Sequence, residues 1–223
     1  MDKKLFNNKN IQEYQFKLEY NTDKFNFKEL ILNMFSELNF ENNLEIPNVD
    51  TDQDTKYHKL FYESIHKDKS FLDLYNLFIE QEISKYFEDS FCYQTIPTFR
   101  IQLINNLSVG DYHKDSDYNH SIYEINFFIP ITKCYGNNTI HLESKINKGD
   151  FKPIDMDFGE MFIFDGANLT HGNNINDTKD VRISFDFRCL KYSDYLKLDK
   201  DIKKSVTFKK EFKIGDYWSF YKK

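Results

Sequence analysis

Apolar residues follow two different periods along this chain, a helical period in the first part and a strand-like period later. Over residues 27–40, apolar side chains recur every three or four positions, which is typical of an amphipathic helix. A second helical stripe begins at Ser70, where Ser-Phe-Leu-Asp matches a capping box, and continues to about Phe87. Residues 41–66, between the two stripes, are polar and predict a loop.

After Pro97 apolar residues alternate with polar ones, which predicts strands that are buried on one face. The alternation places strands over residues 98–103 and 123–131, with shorter strands at about 139–143 and 160–164. Loops rich in Gly, Asn and Asp divide these strands. From Pro97 onwards we therefore expect mostly β structure.

The sharpest alternation lies in the strand predicted over residues 181–188. One face of that strand carries Val181, Ile183, Phe185 and Phe187, and the other carries Arg182, Ser184, Asp186 and Arg188. Asn126 lies on the polar face of the earlier strand, between two apolar residues. Two arginines on one face of a strand indicate that this face has a binding role, for which an anion is the natural partner.

Several short strands preceded by helices predict a mainly β protein with flanking helices. The expected fold is a double-stranded β-helix, a cupin-like jelly roll, with N-terminal helices laid against one sheet. A chain of 223 residues suits a single domain. Within it, residues 1–95 are expected to be mostly helical, 96–190 to form the β core, and 191–223 to be a C-terminal extension.

Composition narrows the class of protein. The formal net charge is -6, with 30 Lys and Arg against 36 Asp and Glu, so we expect neither nucleic acid nor a membrane surface as a partner. The three cysteines have no paired spacing, and the sequence shows neither a signal peptide nor an apolar run long enough to span a membrane. We therefore expect a cytoplasmic protein.

His113-x-Asp115 and the distant His171 are the candidate metal ligands. Two imidazoles and one carboxylate are the ligand set of the facial-triad Fe(II) sites. Residues two apart on a strand face the same side, so His113 and Asp115 are expected to share a strand face, with His171 coming from an opposite strand. Eleven residues after His171, Arg182-x-Ser184 offers a guanidinium and a hydroxyl that suit a carboxylate ligand.

Other residues compete for these roles. Arg100 and Arg188 are alternative anchors for an anion, although Arg188 can also form an ion pair with Asp186 on the same strand face. His120 and His141 are alternative metal ligands, and His141 begins a second His-x-acid pair. Only His171 has the arginine and serine at this offset, which favours the first set.

In His113-x-Asp115, His171 and Arg182-x-Ser184 the chain resembles the Fe(II)- and 2-oxoglutarate-dependent oxygenases, over about residues 96–190. Further segments look similar to the streptomycin-biosynthesis oxygenase (StrG-like) branch. They include Glu124-Ile125-Asn126-Phe127, Phe164-Asp165-Gly166 and His171-Gly172-Asn173.

The resemblance implies that His113, Asp115 and His171 hold Fe(II), and that Arg182 and Ser184 bind the far carboxylate of 2-oxoglutarate. From its place on the polar face of its strand, Asn126 is a candidate either to hydrogen-bond the cosubstrate or the oxygen ligands of the iron, or to act as a structural partner for a loop. The reaction would consume O2, release succinate and CO2, and hydroxylate a small polar metabolite, a sugar or an amino acid derivative. Halogenating relatives lack the carboxylate ligand, so its presence here favours hydroxylation.

Two alternatives stay open at this point. One is a cupin-type enzyme that uses another divalent metal for isomerisation or for dioxygenation without a cosubstrate. The other is a non-catalytic carbohydrate-binding jelly roll in which the triad holds a structural ion. Fold alone does not separate these functions.

Overall fold

Two antiparallel sheets form this protein in the computed structural model, which describes residues 15–36, 55–108, 111–198, 204–206 and 209–223. The strands are β1 Gln15–Glu19, β2 Phe91–Gln94, β3 Thr98–Gln102, β4 Ile125–Pro130, β5 Ile140–Leu142, β6 Lys152–Pro153, β7 Glu160–Phe164, β8 His171–Asn173, β9 Arg182–Lys191 and β10 Trp218–Tyr221. The larger sheet has the order β1-β7-β4-β9-β2-β10, and β3 also pairs with β9. The smaller sheet has the order β6-β5-β8.

The two sheets pack face to face through a small apolar cluster. Phe128, Phe162 and Phe164 of the larger sheet meet Ile140 and Leu142 of the smaller sheet there. The predicted mainly β, cupin-like architecture is confirmed, as two antiparallel sheets that do not close into a barrel. The strands predicted near 98–103, 123–131, 139–143, 160–164 and 181–188 correspond to β3, β4, β5, β7 and β9.

Helices cover the outer face of the larger sheet. They are α1 Phe27–Met34, α2 Lys56–Lys67 and α3 Ser70–Gln81, and a short fourth helix, α4 Tyr192–Tyr195, follows β9. The loop predicted over 41–66 is wrong for its last part, because α2 begins at Lys56. The charged residues of α2 mask a buried stripe of Tyr57, Phe61 and Ile65. The first helix was predicted to reach residue 40, but α1 ends at Met34 with Phe35 as its C-cap. Residues 37–54, which include most of the predicted loop, lie outside the described part.

The predicted capping box at Ser70 is also wrong. The N-cap of α3 is Lys69, which makes no capping hydrogen bond through its side chain. The Asp68 carboxylate instead accepts hydrogen bonds from the backbone N–H of Ser70, at 2.9 Å, and from its hydroxyl, at 2.6 Å. The Asp68 side chain, one position before the N-cap, therefore satisfies a free backbone N–H at the start of α3.

Strand β9 is the centre of the larger sheet, because it pairs with β4 on one side and with β2 and β3 on the other. Its apolar face contacts the helices: the Phe185 ring lies 5.0 Å from Phe27 and 5.6 Å from Phe71, between ring centroids. The Phe187 ring lies 5.3 Å from Tyr75. The opposite, polar face of β9 turns away from the helices, towards the smaller sheet.

The chain segments before and after the predicted core also join the larger sheet. Strand β1 pairs with β7, and β10 pairs with β2. Trp218 of β10 is fully buried, and Cys92, Cys134 and Cys189 are buried free thiols. Among the described helices none is both long and apolar enough to cross a bilayer.

Phe27→Ala tests the contact between the helices and β9. Phe27 is fully buried among Phe71, Phe78 and Phe185, so its truncation should lower the free energy of unfolding by about 3–5 kcal/mol. Phe220→Ala is the matched control, because Phe220 is 40% exposed on an edge strand and should cost less than about 1 kcal/mol. Urea unfolding measures the free energy of unfolding of both variants. An equally small loss in both would show that the helices do not depend on the Phe27 contact.

Candidate metal centre

A two-bond backbone bridge brings His113 and His171 together. The N–H of each residue donates to the carbonyl oxygen of the other at 2.9 Å, and the ring centroids lie 4.7 Å apart. Asp115 begins a short 3-10 helix just after the bridge, and its backbone N–H donates to the carbonyl of Gly166 at 2.9 Å. One ligand atom from each of the three side chains lies within 4.8 Å of the others.

The expected strand geometry of His113-x-Asp115 is therefore wrong, although the two residues do meet. His113 lies in an isolated bridge and Asp115 in a helical turn, so no shared strand face joins them. The turn folds Asp115 back against Gly166, which brings its carboxylate next to both imidazoles. His171, at the start of β8, comes from a separate strand that lies beside His113 through this bridge.

Both imidazoles present the same nitrogen to the centre of the site. Nδ1 of His113 lies 3.0 Å from the carbonyl oxygen of Asp111, and Nδ1 of His171 lies 3.0 Å from that of Leu169. A carbonyl oxygen only accepts, so Nδ1 carries the proton and Nε2 has a free lone pair. The two Nε2 atoms lie 3.7 and 3.8 Å from Oδ1 of Asp115. Such second hydrogen bonds are typical of metal-binding histidines.

Asp115 is a buried, ionised carboxylate. Its Oδ2 accepts hydrogen bonds from Nδ2 of Asn126 at 2.7 Å and from Nε of Arg188 at 2.9 Å, while Nη2 of Arg188 lies 2.8 Å away. Burial alone would raise the pKa of Asp115, but Arg188 and the neighbouring histidines hold that pKa well below its usual range. Burial lowers the pKa of His171. Metal binding requires this pair of states, an ionised carboxylate and a neutral imidazole.

The triad opens into a pocket between the two sheets that holds roughly 450 Å³ of space, its open mouth included. Arg182 lies at its buried end, with 1% of its surface exposed. The ion pair between Arg100 and Asp186 lies nearer the mouth, because the Arg100 side chain is 20% exposed. Phe128, Phe164 and Ile140 add apolar walls. The pocket thus has a buried cationic end and a more open, mixed-charge end.

The three arginines of the pocket have different partners. Nη1 of Arg182 donates to the Asn173 side-chain oxygen at 2.6 Å, and Nη2 donates to the Ser108 hydroxyl at 2.7 Å; both partners are neutral. Arg100 donates to the Asp186 carboxylate at 2.8 Å. Arg188 binds the Asp115 carboxylate and also lies 3.6 Å from Asp186, the ion pair expected from the sequence.

Ser184 and Asn126 are placed less simply than expected. Ser184 is fully buried on the polar face of β9, and its hydroxyl has no hydrogen-bond partner among the described residues. It does not line the pocket wall itself. Asn126 does line the pocket, but its Nδ2 is committed to Asp115, and its Oδ1 is unpartnered in the described part of the chain.

His120 and His141, the alternative ligands, do not join the triad. Within the described ranges, His113, Asp115 and His171 are the one group of this kind. His141 lies 3.3 Å from the Asn174 amide, and Nδ1 of His120 lies 2.7 Å from the Glu124 carboxylate.

Glu143, two residues after His141, serves the site in another way. Its carboxylate accepts the backbone N–H of Thr170 at 2.7 Å and that of Gly149 at 3.1 Å. These bonds fix the turn that leads into His171.

Sequence reasoning missed Asn173 and Ser108, which hold the Arg182 guanidinium. Asn173 had a usable signal, because it follows His171 by two residues and so shares its face of a strand. Ser108 had none, since its contact with Arg182 spans 74 positions of sequence. The bond between Arg188 and Asp115 was missed for the same reason, with 73 positions between the two residues.

Two antiparallel sheets thus enclose a pocket with a His-Asp-His group that could hold a metal ion. The chain belongs to the family of the streptomycin biosynthesis protein StrG. It is 38% identical to StrG of Streptomyces griseus over 170 residues, which cover 76% of this chain and 78% of that relative. No family model matches the chain.

Several solved structures overlap with this chain at greater distance. A non-heme monooxygenase, the ThoJ–nickel complex, gives a TM-score of 0.47 at 11% identity, over 81% of this chain and 74% of that one. CytC3 with Fe(II) and alpha-ketoglutarate gives 0.44 at 15% identity, over 81% and 74%. EctD from S. alaskensis with bound Fe gives 0.44 at 13%, over 82% and 74%. At such scores the overlap is loose, so the site must be judged on its own geometry.

His171→Ala tests the ligand set, with His141→Ala as its matched control. Both histidines are buried, but only His171 points its Nε2 at Asp115. Loss of a residue that merely supports a ligand costs about 10–100-fold in metal affinity, so loss of His171 should cost more than about 100-fold. His141→Ala should keep the parent affinity for Fe(II) or Co(II) in anaerobic calorimetry. The opposite ranking would mean that the ligand set is wrong.

Proposed function

We propose that this protein is an Fe(II)- and 2-oxoglutarate-dependent oxygenase that hydroxylates a small polar metabolite or a sugar. The observation that carries the proposal is the shared pocket of the triad and Arg182. A His-Asp-His group that could hold a metal ion and a buried guanidinium lie in one cavity. A cupin enzyme without a cosubstrate, or a carbohydrate-binding jelly roll, has no use for that guanidinium.

The residues of the triad fit Fe(II). His113, Asp115 and His171 would hold the ion through two nitrogens and one carboxylate oxygen, the set used by non-heme iron oxygenases. The fit is supported by the two Nε2 atoms, which lie 3.7 and 3.8 Å from Oδ1 of Asp115, and by the ionised state of that carboxylate. With three protein ligands, coordination positions stay open for the cosubstrate and O2.

Arg182 would bind the far carboxylate of 2-oxoglutarate. Its planar guanidinium suits a carboxylate in two-point contact, and Asn173 and Ser108 hold it at the buried end of the pocket. Phe128, whose ring centre lies 6.0 Å from the guanidinium carbon, offers an apolar surface beside the cosubstrate carbon chain. Ser184 lies two residues further along the same strand face, but it does not line the pocket, so we assign it no contact with the cosubstrate.

Fe(II) with 2-oxoglutarate supplies the oxidation: O2 is consumed, the cosubstrate becomes succinate and CO2, and a substrate C–H becomes C–OH. The chain itself orients the reactants and excludes bulk water. Asn126 would act on Asp115, because its Nδ2 is already bonded there; we place it behind the ligand, and not on the cosubstrate as its strand position suggested.

The mouth of the pocket indicates the kind of substrate. Arg100 and Asp186 compensate each other's charge at 2.8 Å while presenting hydrogen-bond donors and acceptors to the pocket. Such a wall suits an uncharged, hydroxyl-bearing group. The name of StrG places that relative in streptomycin biosynthesis, and we carry over to this chain only a small-molecule substrate.

We further propose that residues 1–223 form one oxygenase domain and that it acts in the cytoplasm, without nucleic acid as a substrate. The pairing of β1 and β10 with the larger sheet supports the single domain. Three buried free thiols and the net charge of -6 are in keeping with the other two proposals.

Succinate release across pooled polar metabolites tests the reaction class. The protein loaded with Fe(II) should convert 2-oxoglutarate to succinate slowly alone and faster with one of the pools, because a bound substrate couples cosubstrate turnover to its own oxidation. The protein loaded with Zn(II) should be inactive in every pool. Failure to release succinate with any pool would contradict the oxygenase proposal and favour a binding protein.

Arg182→Gln tests the anchor, with Arg100→Gln as its matched control. Loss of one partner of a buried charge pair costs about 2–5 kcal/mol, or roughly 30-fold or more in affinity. The Kd of 2-oxoglutarate, measured anaerobically by calorimetry, should rise by that factor in Arg182→Gln and change little in Arg100→Gln. If Arg100→Gln shows the larger loss, the cosubstrate lies at the mouth of the pocket instead.

A further inference from the structure

Arg188 and Asn126 bind the same oxygen of Asp115. Nε and Nη2 of Arg188 lie 2.9 and 2.8 Å from Oδ2, and Nδ2 of Asn126 lies 2.7 Å from it. The other oxygen, Oδ1, faces Nε2 of His113 and Nε2 of His171. The carboxylate is therefore divided into one oxygen held by the protein and one directed to the metal position.

Strand register places the two donors side by side. Asn126 of β4 and Arg188 of β9 are direct cross-strand partners, so their side chains leave the sheet next to each other. Gly166 packs directly against the Asn126 amide, since a Cβ at Gly166 would lie 2.7 Å from it. The backbone carbonyl of Gly166 accepts the N–H of Asp115, which ties the carboxylate to the same place.

Arg188 is itself held from behind. Its Nη1 lies 3.4 Å from the side-chain oxygen of Gln94 and 3.6 Å from the Asp186 carboxylate, and its Nε lies 3.9 Å from the Glu124 carboxylate. These groups and Asp115 all lie within 4 Å of the guanidinium, and Arg188 is buried. A guanidinium held in this way cannot turn to a ligand in the pocket without leaving the buried Asp115 carboxylate without its cation.

We propose that Arg188 and Asn126 form a clamp on Asp115 that keeps Oδ2 away from the metal and makes Asp115 a one-oxygen ligand. Both are positioning residues, because they act on the metal through Asp115. A carboxylate that binds through both oxygens would occupy one more coordination position. The clamp therefore keeps open the coordination positions that the proposed function requires. It rests on the proposed function only in assuming that a metal binds at the triad.

Arg188→Lys is the first test. Lysine keeps a cation among the buried carboxylates, but its single nitrogen cannot reproduce the planar, multi-point contact of the guanidinium. Arg182→Lys is the matched control, because it makes the same exchange on the same face of β9, six residues earlier. Co(II) is the probe, since its ligand-field absorption reports coordination number. Anaerobic titration of each variant gives both this spectrum and the metal Kd.

We expect Arg188→Lys to change the Co(II) spectrum and to weaken Co(II) binding about tenfold or more. Arg182→Lys should match the parent in both respects and lose affinity for 2-oxoglutarate instead. A parent-like Co(II) spectrum in Arg188→Lys would overturn the clamp, because a residue that only stabilises the fold would lower the Tm and leave the spectrum unchanged.

Asn126→Ser keeps the test decisive if Arg188→Lys does not fold. It removes the second donor to Oδ2 without changing any charge, and it should shift the same spectrum; a parent-like spectrum would again overturn the clamp.

Failure of the proposed function is separable from failure of the clamp. A parent protein that binds Co(II) but neither binds 2-oxoglutarate nor releases succinate contradicts the oxygenase, while the spectra of the variants still decide the clamp.

Discussion

Strand β9 must be buried on both faces, and most of the structure follows from that constraint. Its apolar residues contact the aromatic side chains of the helices, while its polar residues form one wall of the pocket. The polar wall is tolerated because the arginines on it are hydrogen-bonded: Arg182 to neutral oxygens, and Arg188 to Asp115. A shift of one residue in register would turn both arginines into the helical core.

Charge compensation organises the pocket in the same way. Asp115 is buried beside Arg188, and Asp186 lies between Arg188 and the more exposed Arg100. Buried ion pairs of this kind contribute little net stability, so a role in fixing geometry explains them better. Here they hold one oxygen of Asp115 and leave the other facing the two histidines.

Period-two alternation predicted the strands that carry Arg182, Arg188 and Asn126, because one face of each is packed against the helices. It could not predict α2, whose charged residues hide its buried stripe. Nor could local pattern show that His113 meets His171 through a backbone bridge, since that contact spans 58 positions of sequence. The candidate site residues could therefore be named from the sequence, whereas their arrangement and the partners of Asp115 depended on contacts distant in the chain.

The most direct measurement is anomalous diffraction at the iron absorption edge, from crystals grown without oxygen in the presence of Fe(II) and 2-oxoglutarate. We predict one iron peak within coordination distance of Nε2 of His113, Oδ1 of Asp115 and Nε2 of His171, with a carboxylate of the cosubstrate on Arg182. An iron peak at any other site, or one bound by both oxygens of Asp115, would contradict this assignment.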